Sequence, residues 1–151
     1  MSLNKTAASA TVHCLTGCAI GEIVGMVIST GLSWTAAPSV VLSIALAFGF
    51  GYSLSMRPLL RHGLNLKKAL ALALAADTAS IATMEIVDNG FILAVPGAIH
   101  ATLTSWLFWW SLLLSLVIAF VVAYPLNRWL IARGKGHAVT HEYHGHNDHN
   151  M

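Results

Sequence analysis

The chain has 151 residues, 56% of them hydrophobic and only 9% charged. A soluble domain carries roughly 25% charged residues, so a soluble globular fold is excluded, and no nucleic-acid-binding motif is present. Eight Lys and Arg against six Asp and Glu leave a net charge of +2, an excess whose positions say more than its sum. The composition predicts an all-α, integral membrane four-helix bundle, because spans of about 20 residues each fill this length and leave little else.

In chain order, the first span is predicted from Ala8 to Ser33. It does not read as a signal peptide: the basic region ahead of it is weak, and Cys14, Cys18 and Glu22 interrupt its apolar run. Trp34 and Pro38 mark a turn, and the second span follows from Ser39 to Met56. A basic loop, RPLLRHGLNLKK, leads to a third span from Leu66 to Val95, which Pro96-Gly97 ends. The fourth runs from Thr102 to Ile131, with Trp106, Trp109 and Trp110 at one end and Tyr124 and Trp129 near the other, where aromatic side chains suit the two membrane interfaces. Residues 1–135 thus form a four-span domain, and residues 136–151 a flexible, His-rich tail.

The cations set the orientation. Lys5 precedes span one. Arg57, Arg61, Lys67 and Lys68 lie between spans two and three, and Arg128, Arg133 and Lys135 follow span four. The other two loops, WTAAPS and GAIHATLTS, contain neither Lys nor Arg. This alternation predicts a multi-pass protein of the cell (inner) membrane with both termini cytoplasmic, and loops this short predict antiparallel neighbours.

Four of the six carboxylates, Glu22, Asp77, Glu85 and Asp88, fall inside spans, whereas every Lys and Arg falls at an end or in a loop. An isolated acid near the bilayer centre costs roughly 3 kcal/mol or more on insertion scales. At ~1.5 Å of rise per residue, Cys18 and Glu22 lie roughly 15 and 21 Å along span one and Asp77 roughly 17 Å along span three, all near the midplane. Glu85 and Asp88 lie farther out, where His100 joins them. Cys14, Cys18 and Glu22 are four residues apart and form one stripe, next to His13. Gly17, Gly21 and Gly25 form a second stripe, a small-xxx-small pattern that admits another helix at close range. On span three Asp77, Ser80, Met84 and Asp88 share a face, with Glu85 at its edge. Packing spans one and three together predicts an interior seam of Cys, Met and carboxylate side chains. A disulfide between the two cysteines is not expected from one helical turn in the cytoplasmic half.

The pattern HCxxGCxxGE in span one, with DxxSxxxxExxDN in span three (Asp77, Ser80, Glu85, Asp88, Asn89), resembles a small bacterial membrane family known only as domain of unknown function 4396. The likeness covers about Ala8 to Ala132. It implies a compact four-helix membrane domain and no activity. It marks His13, Cys14, Cys18 and Glu22 as one constellation and Asp77, Glu85 and Asp88 as another.

Thiolate, imidazole and thioether select soft or borderline cations such as copper(I) and zinc, whereas carboxylates alone suit hard ions or protons. The seam mixes both. The leading expectation is a small membrane protein that binds and transports a soft transition-metal ion, copper first and zinc second. Its ligands would be His13, Cys14, Cys18, Glu22, Asp77, Met84, Glu85 and Asp88. His100 and the tail's His137, His141, His144, His146 and His149 would serve as accessory ligands. Four helices are few for a pore, so a homo-oligomer is expected, with the glycine stripe as a packing face. No catalytic set emerges, and the residues favour a carrier over an enzyme. Two alternatives remain: a redox module binding haem or quinone, and a structural or proton-coupled subunit of a larger complex. A bis-histidine haem fits poorly, because His13 and His100 fall on opposite sides of the membrane.

Overall fold

The computed structural model describes residues 2–61 and 63–133, and among them it is all-α. Four long helices are present: α1 (Leu3–Gly31), α2 (Ala36–Arg61), α3 (Leu66–Ala94) and α4 (Trp106–Ala132), with a short 3-10 turn (Ala98–His100) between the last two. Among the described residues three helices are long and apolar enough to cross a membrane, Leu3–Gly31, Ala36–Arg57 and Trp106–Ala132. The predicted His-rich tail lies outside the described residues.

Local chemistry explains where the helices start and stop. Helix N-termini leave backbone N–H groups unpaired, and short polar side chains satisfy them. Ser2 accepts from the Lys5 N–H, Asn65 from the Lys68 N–H at 2.9 Å, and Ser105 from the Leu107 N–H at 3.2 Å. The Ser2 cap carries α1 back beyond the expected start at Ala8, and the Ser105 cap starts α4 later than expected. α3 stops at Val95, which is extended, as a residue before proline must be. Gly97 then turns the chain with φ 80°, a conformation that a side chain disfavours.

α1 packs against α2 and α4, α3 packs against α4 and α2, and α1 meets α3 across the centre. The glycine stripe is the α1–α2 seam. A Cβ placed on Gly17 would lie 2.8 Å from the Gly51 Cα, one on Gly21 would run into the Ala47 backbone, and one on Gly25 would strike Ser43. Each step of four up α1 is a step of four down α2, so small residues face small residues. This corrects the expected use of the stripe between copies of the chain: α2 of the same chain already occupies it, because α2 supplies matching small residues in antiparallel register. Large apolar side chains such as Val41, Ile86, Leu113 and Val121 point outward and are exposed, which suits a lipid surround.

Candidate functional site

The buried cluster at the centre joins Cys14 and Cys18 of α1, Ala47 of α2, Ile81 and Met84 of α3, and Ala119 and Ala123 of α4. Four polar layers run along it. α1 and α3 both start from the end that carries most of the Lys and Arg, so they run parallel along these layers.

The first layer joins three helices. The Asn127 amide of α4 donates to the Thr11 hydroxyl of α1 at 2.9 Å and to the Ser80 hydroxyl of α3 at 3.0 Å. In the second, the Cys14 thiol donates to Oδ1 of Asp77 at 3.7 Å, with Ser80 also beside the thiol. In the third, Cys18 lies beside Glu85, and Glu85 accepts from the Asn89 amide at 3.2 Å. In the fourth, Asp88 lies beside Ser115 of α4. Asp77, Glu85 and Asp88 are 0%, 4% and 2% exposed, and no Lys or Arg occurs between residues 6 and 56 or between 69 and 127. Buried acids are held here by thiols, hydroxyls and amides, which can stabilise either protonation state without fixing a charge. Among the described residues, Oε1 of Glu85 and Oδ1 of Asp88 have no hydrogen-bond partner.

The column ends in a cavity of about 500 Å³ at the far end from the cations, lined by Glu22, Asp88, Asn89 and His100 among others. Of the predicted outer group of Glu85, Asp88 and His100, the last two border this space and Glu85 does not; Glu22, expected near the midplane with Asp77, borders it instead.

The remaining sequence-picked residues fall as follows. Both cysteines are buried and free, as expected. Met84 lies in the apolar cluster at 1% exposure. His13 is the outlier among the four residues of the first motif: it faces a shallow groove with Val12, Thr16 and Leu54, because the residue next to Cys14 points about 100° away around the helix. His100 is exposed at the cavity mouth. The five tail histidines lie outside the described residues. Among the described residues, no three His, Cys, Asp or Glu side chains come together as a metal-holding group; the donors stand in pairs, one turn apart.

Three contributors to the column were not singled out from the sequence: Thr11, Ser115 and Asn127. A signal for them exists. Ser111, Ser115, Ala119, Ala123 and Asn127 recur every four residues on α4 and are all buried. Such a stripe of small and polar residues marks the inward face of a membrane helix.

No curated protein and no solved structure matches the chain at a significant level. Residues 3–136 match a family described as domain of unknown function (DUF4396). With nearly all of the four-helix region inside that match, the chain belongs to the DUF4396 family.

Proposed function

We propose that this chain is a membrane-spanning four-helix bundle with both termini cytoplasmic, and that its interior column binds and carries a soft transition-metal cation. In this reading α3 crosses the membrane with the three more apolar helices. The single observation that supports it is the pairing of buried thiols with buried carboxylates, Cys14 with Asp77 and Cys18 beside Glu85. Soft sulfur donors favour copper(I) or zinc over hard ions, and a nearby acid offers a place for the proton that a thiol must lose to become a ligand. The ion would pass the cavity, Asp88 and Glu85, then Cys18, Asp77 and Cys14, with the tail histidines buffering it on the cytoplasmic side.

The test is metal analysis of purified protein loaded with copper(I) or zinc under reducing conditions, for the parent and for Cys14→Ser with Cys18→Ser. The reading requires bound metal in the parent and its loss in the double variant, with helix content unchanged. A double variant that binds as tightly as the parent sinks it. A proton-coupled role is the second reading, favoured by the burial of Glu85 and Asp88 on a helix face without Lys or Arg, where each acid can be carried neutral by taking up a proton. It requires proton movement without any bound metal.

A further inference from the structure

The cavity at the outer end is larger than a metal ion needs. Its volume of about 500 Å³ falls within the range of about 300–1,000 Å³ typical of sites for small organic molecules, whereas one water takes about 30 Å³ of liquid. Its walls combine apolar and charged chemistry. Met26, Val40 and Ile92 contribute aliphatic surface, and Trp34 and Phe108 contribute aromatic rings. Among the described residues, Glu22 and Asp88 are the two acids in the lining, and no Lys or Arg lines it. His100 is the remaining titratable group there. A cavity lined by acids and aromatic faces attracts cations, through Coulomb attraction and through the ring quadrupole.

A second, independent feature narrows the class. Asp88 is 2% exposed, lies beside Ser115 and lines the cavity, and its Oδ1 has no hydrogen-bond partner among the described residues. A buried acceptor left unsatisfied costs about 1–3 kcal/mol, more when charged. The group that relieves this must bring a hydrogen-bond donor. A quaternary ammonium has none, whereas a protonated amine has at least one.

We propose that this cavity is a binding site for a small organic amine in its protonated form. The ammonium N–H donates to Asp88, Glu22 adds charge complementarity, and the apolar part of the ligand lies against Trp34, Phe108 and Met26. The site shares the cavity and Asp88 with the proposed ion path but not the two cysteines, so loss of metal in Cys14→Ser with Cys18→Ser and loss of amine binding in chelator are separately read outcomes.

The experiment is equilibrium binding to the purified full-length chain in detergent, with a metal chelator present throughout. The probes are phenethylamine, its N,N,N-trimethyl analogue and neutral 2-phenylethanol. The proposal requires saturable phenethylamine binding, weaker by about tenfold or more for the other two probes, since tenfold corresponds to about 1.4 kcal/mol, the scale of one buried hydrogen bond to a charged group. Asp88→Asn should weaken the amine by a similar factor. Val40→Trp, which adds a large ring to the cavity wall and leaves both acids in the sequence, should abolish binding and carries the test if the Asn variant fails to fold. Absence of saturable binding, equal affinity for amine and alcohol, or affinity unmoved by the substitutions overturns the proposal.

Discussion

The Cys14 thiol and Oδ1 of Asp77 lie 3.7 Å apart although 63 residues separate them in sequence, and this contact ties α1 to α3 in parallel at the centre of the molecule. Asp77 is fully buried. Replacing it with Asn keeps its size and removes its capacity for negative charge. Asp77→Asn is expected to keep the helical fold and to impair metal flux into proteoliposomes. Flux in the parent should fall with acidity, because protons compete with the cation for the column's carboxylates. Flux that ignores pH and is unchanged in the variant would leave the carboxylate-lined path without support.

The α1–α2 seam makes a sharp contrast between glycines. A methyl group on Gly21 meets the Ala47 backbone, while one on Gly49 meets nothing within 4 Å. Overpacking of a tight contact costs about 1–3 kcal/mol, so Gly21→Ala should lower the midpoint of thermal or detergent-induced unfolding. Gly49→Ala should leave it unchanged or raise it. Equal effects of the two would mean that the helices do not approach as closely as described.

Asn127 joins α4 to both α1 and α3 through two hydrogen bonds. Interhelical bonds of this kind average about 0.6 kcal/mol in membrane bundles and reach about 1.7. Asn127→Ala should therefore destabilise the fold by about 1–2 kcal/mol. Thr11→Val should cost less alone and add little in the Asn127→Ala background. A double-mutant cycle measured by unfolding in mixed detergent reports that coupling, and strict additivity of the two substitutions would refute the shared bond.

The chain after Lys135 carries five of the eight histidines. Deleting residues 136–151 should leave membrane insertion and helix content intact and lower the number of metal ions bound. Loss of insertion on truncation would show that the tail belongs to the fold.

The positions of the long helices were readable because apolar runs and the Pro96-Gly97 stop are local signals, whereas Pro38, read as part of the turn, lies inside the first turn of α2. The four-residue spacing of Cys14 and Cys18 correctly placed both on the face that meets α3, and the helical face of span three correctly put Asp77 and Met84 inward. Sequence spacing could not say what the glycine stripe would face, since a stripe admits any close partner and the matching small residues of α2 are antiparallel and distant in the chain. Nor could adjacency to Cys14 place His13, whose direction is set by the helical turn and not by its neighbour. Asn127 was hidden by the strong hydropathy around it: between Leu126 and Arg128 it reads as an interfacial residue, and only the three-dimensional crossing of α1, α3 and α4 shows that it is 2% exposed.

The close fit of α1 to α2 also bears on how the protein is made. These two helices hold a single acid between them, Glu22, whereas α3 holds Asp77, Glu85 and Asp88, each worth several kcal/mol against insertion into lipid alone. The glycine ladder lets α1 and α2 close as a hairpin while α3 is still being synthesised. In the proposed four-span topology the thiol face of α1 is then already in place when the acids arrive, and α3 enters a prepared cradle instead of bare hydrocarbon. Biogenesis thus acquires a direction: a chain ending at Arg57 should insert on its own, and α3 fused to a reporter should insert only when the hairpin precedes it.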